Sequence, residues 1–503
     1  MPPPHPPLRC LFLPRLPTTT TNTTTTRTFS TTPSYLADPP KKKPTTGGGA
    51  RSNTPAKAGK TLKLAKNKRA LTSRPPGIGE RREQRLKVVL GNGNALEVPG
   101  LGELNVDVLR AADGLGGSVG EVVKLGEEVT AAMKTLGAFA PRQGWHQFRS
   151  PPATLVRRQT AELAGLLHEE GAQRVIITGP RLSGKSVLLM QTAAAAWLSG
   201  NLVLLLPAAK DLVDGRAAFR PETISFTPRP TQQGPKGAET KTVYTQPQLT
   251  SALLSSFATA NAGILKTLPL ADPALAFAHL PTISRDNAST LHSFALLGVS
   301  DPELAPQVFA ALVTEVLLPS RPPLFVGLDG LSHLMRPSAY LSAEAEPIHA
   351  HDIDLASVFV RMLAGRTKLP NGGLVAAALS ESEGVEAGTL DWAVRLQLAK
   401  QGRAPKPTAS SEDVSEGRKY RPQLPSWPPH LAKDERVASV IGGTRVVSLA
   451  EPLSRGESRA LTEFFARSGV MRGSVGEEVV GGLRGVSAGV VGEMVRAGVS
   501  LRF

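Results

Sequence analysis

Residues 174–200, RVIITGPRLSGKSVLLMQTAAAAWLSG, decide the fold class. Arg174–Thr178 is a short β-branched run of the kind buried in a parallel sheet. Lys185–Gly200 is rich in Leu, Met and Ala and closes on a glycine, which predicts a helix. Between them stands GPRLSGKS, residues 179–186, matching G-x-x-x-x-G-K-[ST] in its required context of strand, glycine loop and helix. Gly179 and Gly184 permit a tight turn, and the loop through Pro180, Arg181, Leu182 and Ser183 aims backbone N–H groups at phosphate oxygens. Lys185 is placed to reach the β- and γ-phosphates, and the Ser186 hydroxyl to hold Mg²⁺. The positive end of the helix, at Lys185, Ser186 and Val187, adds to the same field. The expected nucleotide-binding set is therefore residues 179–187. NLVLLLP, residues 201–207, follows as a second buried strand and completes a βαβ unit.

A magnesium site needs an acid at the tip of a neighbouring strand. LFVGLDG, residues 324–330, supplies Asp329, so Ser186 and Asp329 form the expected metal pair. ATPases of the AAA-plus type place a Glu directly after this Asp to orient the attacking water, and here that position is Gly330. Ser380 and Ser382 follow GLVAAAL where such proteins put a polar residue that senses the γ-phosphate; simple turn serines read the same way. Arg361 and Arg366 are the nearby candidates for an arginine finger. The guanine-specifying N-K-x-D signature is absent, so the residues leave the base open. HAHD at 349–352 reads as a polar loop ahead of a helix rather than as a metal site.

Charge is distributed unevenly over the 503 residues. Residues 1–87 hold 18 Lys/Arg and 3 Asp/Glu, whereas the remaining 416 hold 40 and 39. Residues 1–40 carry Arg9, Arg15 and Arg27, abundant Thr and Ser, and no acid before Asp38, the composition of a mitochondrial transit peptide. Residues 41–87 are basic, poor in apolar side chains and free of aromatics. Such an arm stays unfolded when free and contacts phosphates rather than stacking on bases. The single cysteine, Cys10, lies in the leader, which removes disulfides, thiolate zinc sites and cysteine nucleophiles. No apolar run reaches the ~18 residues of a membrane span, and no metal cluster is expected.

Other elements follow from pattern. Residues 86–100 read as strand, turn and second short strand; 153–171 as a helix; 248–261 and 304–318 as helices; 322–330 and 372–380 as strands. After 436 a strand precedes a helix at about 454–468, with Ser454 as N-cap. Residues 217–247 and 401–435, rich in proline and polar side chains, read as surface insertions.

With these residues placed, the chain resembles the mitochondrial small-ribosomal-subunit proteins of the death-associated-protein-three family. VIITGPRLSGKSVLL, NLVLLLPAAKDLVDG, VYTQPQLTSALL, PPLFVGLDGLSHL and EPLSRGESRALTEFFARSGV carry the likeness over about residues 150–470. The resemblance implies an α/β fold: an AAA-plus-like P-loop core, its parallel sheet flanked by helices, with a C-terminal helical region and a disordered basic N-terminal arm. It also implies GTP or GDP with Mg²⁺ (ATP less favoured), partners among mitochondrial ribosomal RNA and small-subunit proteins, and a place in the mitochondrial matrix. The expected organisation is leader 1–40, arm 41–87, N-terminal extension 88–150, nucleotide-binding core 151–400, Pro-rich insertion 401–435, and C-terminal strand and helical region 436–503. Two other functions stand beside a structural ribosomal protein with little or no hydrolysis. One is a mitochondrial P-loop ATPase acting on nucleic acid or protein; the other is a nucleotide-regulated apoptosis or signalling adaptor.

Overall fold

The alternating strand and helix runs assemble as a layered α/β structure. The computed structural model describes residues 92, 95–106, 114–140, 143–149, 151–226, 239–271, 289–381, 387–402, 425–427, 432–471 and 474–500. The leader, the basic arm, Ser382 and most of 401–435 lie outside them.

A small sheet comes first. β1 (Gly102–Leu104) runs parallel to β2 (Val122–Leu125), and β2 pairs antiparallel with β3 (Ala153–Leu155). α1 (Glu127–Thr135) and α2 (Arg158–Leu166) pack near it. Then β4 (Ala172–Thr178), α3 (Lys185–Leu198) and β5 (Leu202–Leu206) form the expected βαβ unit. β6 (Arg220–Phe226) and β7 (Glu239–Thr245) precede α4 (Pro247–Ala260), α5 (Leu291–Ser300) and α6 (Ala305–Val316). β8 (Leu324–Asp329), the paired strands β9 (Pro337–Leu341) and β10 (Pro347–His349), α7 (Asp354–Leu363) and β11 (Gly373–Ala378) follow. α8 (Gly388–Lys400), α9 (Glu435–Ile441), β12 (Arg445–Ser448), α10 (Arg455–Arg467), α11 (Glu477–Val486) and α12 (Val491–Ser500) complete the chain.

The central sheet has five parallel strands in the order β12-β4-β11-β8-β5. β11 therefore stands between the P-loop strand and the strand that ends on Asp329. Its strands are buried on both faces, as their continuous apolar runs require. Ile176, Leu204, Val326 and Val375 face one core with α4–α9, whereas Ile177, Val203, Phe325 and Ala376 face a second core with α3. Ala193–Ala196 of α3 are fully buried, and their small side chains let the helix lie close to the sheet. The exposed edge of β5 is covered by a side chain: Asn261 accepts from the Val203 N–H at 2.8 Å and donates to its carbonyl at 3.0 Å. That pairing copies a ladder contact and closes the edge to other strands.

Four expectations need adjustment. Ala95–Val98 forms no strand; instead the Leu96 N–H donates to the Ser468 carbonyl at 2.9 Å. The helix predicted from 153 starts only at Arg158, because Ala153–Leu155 joins β2 as β3. Residues 217–247 include an antiparallel pair, β6 with β7, registered from Arg220↔Thr245 to Phe226↔Glu239. Their β-branched runs carry strand propensity that the prolines around them hid. A helix, α9, also stands ahead of β12. Within 401–435, the described Pro425 accepts a hydrogen bond from the Trp392 indole at 2.9 Å, and Trp427 packs edge-on against that ring. Ser454 caps α10 as expected, in a reciprocal capping box with Glu457. Leu453, Leu461, Phe465, Leu483 and Met494 form a third core, belonging to α10–α12 and packed on the outer face of β2 and β3.

Candidate nucleotide site

The parallel register brings the chemistry to one edge. Ala378 at the end of β11 is level with Asp329 on one side and Ile177 on the other, so the loops after β4, β8 and β11 emerge together. The P-loop leaves β4 with Gly179 at φ 152, passes Leu182 at φ 63, and enters α3 through Gly184 at φ 92. Gly179 admits no side chain, since a Cβ would lie 2.9 Å from both Leu449 Cβ and Ser183 Oγ. The Lys185 side chain folds over the loop and donates to the carbonyls of Gly179 at 2.6 Å and Pro180 at 2.9 Å. Burial pushes its ammonium below the ordinary lysine value, while the carboxylates of Glu381 and Asp329 favour the charge. The Ser186 hydroxyl donates to the Asp329 carboxylate. Thus the expected set 179–187 and the pair Ser186 and Asp329 converge in one place. The Ser183 hydroxyl is buried against Gly179 without a hydrogen-bond partner among the described residues. A glycine loop of left-handed turns, a buried ammonium, an unpartnered hydroxyl and a Ser–Asp pair are the donors that a Mg²⁺-bound polyphosphate calls for.

The residue after Asp329 is equally defined. Gly330 sits at φ 88 and its N–H donates to the Ala378 carbonyl at 3.0 Å. A side chain there would be strained in that conformation, so the absence of a water-orienting Glu is built into the turn. Ser380 donates its N–H to Ser332 Oγ at 3.2 Å, tying the loop after β11 to the turn after β8. The proposed arginine fingers are misplaced. Arg366 donates to Ser439 Oγ at 2.9 Å, and Gly365 lies against the Arg174 guanidinium near the start of β4. Arg174 is five residues, about 16 Å along a strand, from the P-loop, and Arg361 is exposed on the last turn of α7. The buried arginine at the loop is instead Arg157, which donates to the Ser183 carbonyl at 3.3 Å. Nothing in VRRQT distinguishes it from the exposed Arg158 beside it.

A family profile described as Mitochondrial ribosomal death-associated protein 3 matches residues 154–497, from β3 into α12. The chain belongs to this family. It is also similar to the Small ribosomal subunit protein mS29 of Neurospora crassa, 33% identical over 446 residues that cover 87% of this chain and 86% of that protein. Membership of the death-associated protein 3 family makes this a mitochondrial protein. No helix among its described residues is long and apolar enough to cross a membrane.

HAHD of this family member is not a plain loop: His349 ends β10, and Ala350–Asp352 form a short 3-10 turn ahead of α7. His349 Nδ1 accepts from the His351 N–H at 3.1 Å, its Nε2 lies 3.2 Å from Asp434, and Arg436 pairs with Asp352 at 3.1 Å. No group of three or more metal-ligating side chains occurs among the described residues. Burial and the neighbouring His349 push His351 down to about 4. Its depressed value means that it must charge on unfolding at mildly acidic pH, so it costs stability as pH falls from its unfolded value toward 4.

Were Asp329 to hold a metal ion, its protonation would make binding depend on pH. Burial raises its carboxyl to about 6, against the opposing pull of the Ser186 and Gly330 hydrogen bonds and of Lys185. Only the carboxylate binds a divalent cation, so the Mg²⁺-dependent part of nucleotide affinity is expected to be full above pH 7 and to fall below about 6, approaching tenfold per pH unit. Calorimetric titration with Mg·GDP from pH 5 to 8 measures it. A flat profile would remove Asp329 from the metal site.

Proposed function

We propose that this protein is a structural component of the mitochondrial small ribosomal subunit that holds a purine nucleotide with Mg²⁺ in its P-loop. GTP or GDP is the favoured ligand, and turnover is slow or absent. In this reading the loop amides of residues 179–184 and Lys185 bind the phosphates, and Ser186 and Asp329 hold the metal. The metal supplies charge neutralisation to the phosphates when bound. Gly330 offers no side chain to position a water, and of the two arginines near the end of α7, Arg366 is bound to Ser439 and Arg361 is exposed. The observation that carries the reading is a left-handed glycine loop and a Ser186–Asp329 hydrogen bond set beside a left-handed glycine at 330. Membership of a mitochondrial ribosomal family and the likeness to a small-subunit protein support the ribosomal part. The leader 1–40 and the arm 41–87 fit import and contact with ribosomal RNA, and both lie outside the described residues.

Gradient sedimentation of mitochondrial lysate tests the assignment. The protein is expected to migrate almost wholly with the small subunit at moderate salt, and deletion of 41–87 to lower the salt sensitivity of that association, because phosphate contacts release counterions. A large free pool at moderate salt would count against it. Chromatography of the nucleotide released from purified protein identifies the base, and release of none would reject a resident ligand.

A further inference from the structure

The phosphate loop is held from outside as well as by the sheet, and what holds it is the end of the chain. Arg157 is buried, at 8% exposure. Its Nη1 donates to the Ser183 carbonyl at 3.3 Å, and its Nη2 to the Glu451 carbonyl, just after β12, at 3.1 Å. The Gly492 N–H of α12 donates to the Leu182 carbonyl at 2.9 Å. The approach is so close that a Cβ on Gly492 would lie 2.8 Å from both Leu182 Cβ and the Leu182 carbonyl oxygen. Leu449 closes the other side of the loop against Gly179.

These contacts reach the C-terminal helices as a body. Leu453 donates its N–H to the Gly489 carbonyl at 2.9 Å and accepts from Arg484 Nε at 3.0 Å, joining the strand exit to α11 and α12. Gly498 of α12 packs against Phe465 of α10, and Met494 is fully buried. The module therefore packs as a unit and touches the loop through the Gly492 N–H, while Arg157, at the start of α2, bridges the loop to the strand exit that leads into the module.

A trans peptide points its C=O and N–H in opposite directions. Bonds that draw the Leu182 and Ser183 carbonyls outward turn the N–H groups of Ser183 and Gly184 inward, toward where phosphate oxygens bind. The Ser183 N–H does point into the loop, at 3.2 Å from the Pro180 carbonyl. Leu182 also holds a left-handed φ unusual for a branched side chain, which persists where neighbours over-determine it.

We propose that the helical module α10–α12 and nucleotide binding are coupled through the phosphate loop, with Arg157 as the positioning residue and Gly492 as the contact. The proposal rests on the nucleotide reading above. A seated module keeps the loop in its binding shape, and a bound nucleotide keeps the module seated by the same factor, since coupling between two sites is reciprocal. The nucleotide then acts as a brace for a surface made by the last forty-odd residues, at a distance from the phosphates themselves.

Hydrogen exchange of the full chain, with and without saturating Mg·GDP and in parallel Mg·ADP, tests it on unmutated protein. Amides of 477–500, Gly492 above all, are expected to exchange about tenfold more slowly with ligand, a change well within what typical coupling energies produce. Gly492→Ala and Arg157→Gln are each expected to weaken nucleotide binding by about tenfold, the worth of one or two lost hydrogen bonds. Alanine is the better helix former, so weakening in Gly492→Ala reports the lost approach to Leu182. Arg157→Lys keeps the charge without the two-carbonyl fork and should remain weak. Normal nucleotide binding with unchanged exchange in 477–500 would overturn the coupling and leave the site intact. No binding of either nucleotide by unmutated protein would overturn the site and the coupling together.

Discussion

Replacing Lys185 with alanine is expected to abolish most of the stabilisation by added nucleotide that the proposed function predicts. The Lys185 ammonium is 7% exposed and lies over the loop, with the carbonyls of Gly179 and Pro180 at 2.6 and 2.9 Å. Nothing else in the loop is cationic and buried: Arg181 is exposed, and Arg157, from outside the loop, is engaged on the Ser183 and Glu451 carbonyls. A hydrogen bond to a charged group contributes about 1.5–3 kcal/mol, and one lysine can make two to the phosphates. The expected weakening is on the order of a hundredfold. Ligand at a hundred times Kd stabilises the folded state by about 2.7 kcal/mol, and after a hundredfold weakening the same concentration gives only ~0.4 kcal/mol. Thermal melts of both proteins with and without Mg·GDP measure the difference. An equal ligand-induced rise in Tm in Lys185→Ala would mean that the P-loop does not hold the nucleotide.

The second large effect is on stability and is remote from the P-loop. Glu315, at the end of α6, and Arg321 form an ion pair at 3.0 Å with side-chain exposures of 5% and 7%. The pair also clips the chain around it. Glu315 accepts from the Ala271 N–H at 3.0 Å, and Arg321 donates to the Glu315 carbonyl at 3.3 Å and to the Pro269 carbonyl at 2.7 Å. Arg321→Met would leave a buried carboxylate without its counter-charge, a change that costs about 3–5 kcal/mol. Replacing both partners with apolar residues removes that penalty, so Glu315→Leu with Arg321→Met should recover much of the loss. Chemical denaturation of the single and double variants reads the outcome. A single variant as stable as the parent would show that the pair is solvated in solution.

Much of this was legible in the sequence because it is local. A β-branched run, a glycine loop and an Ala-rich helix specify β4, the P-loop and α3 within 27 residues, and Asp329 announces itself by ending an apolar strand. The family likeness rests on the same segments. What was not legible is tertiary. No local pattern places β11 between β4 and β8 or sets its parallel direction, and it is that direction which puts Arg366, ahead of the strand, at the opposite end from the loops that leave it. The β6–β7 pair was hidden because cross-strand contacts form it, and single-strand pattern reports only half of such a contact. Arg157 and Gly492 were invisible for the same reason: the first reaches Glu451 across 294 positions, and the second meets Leu182 across more than 300.

A resident nucleotide and a burned one differ in rate, and the proposed function predicts the first. Phosphoryl transfer to water needs a positioned nucleophile as well as neutralised charge. In the proposed function residues 179–187 and Asp329 provide for the charge, and Gly330, in its left-handed turn, has no side chain to offer the water. The most direct measurement is single-turnover hydrolysis of GTP and of ATP, with Mg²⁺, by purified protein and by intact small subunits. The expected rate is on the order of 10⁻³ per second or slower, the range of P-loop proteins that lack an arginine finger. A rate of about one per second or faster, lost in Lys185→Ala, would contradict the account and make this protein an engine.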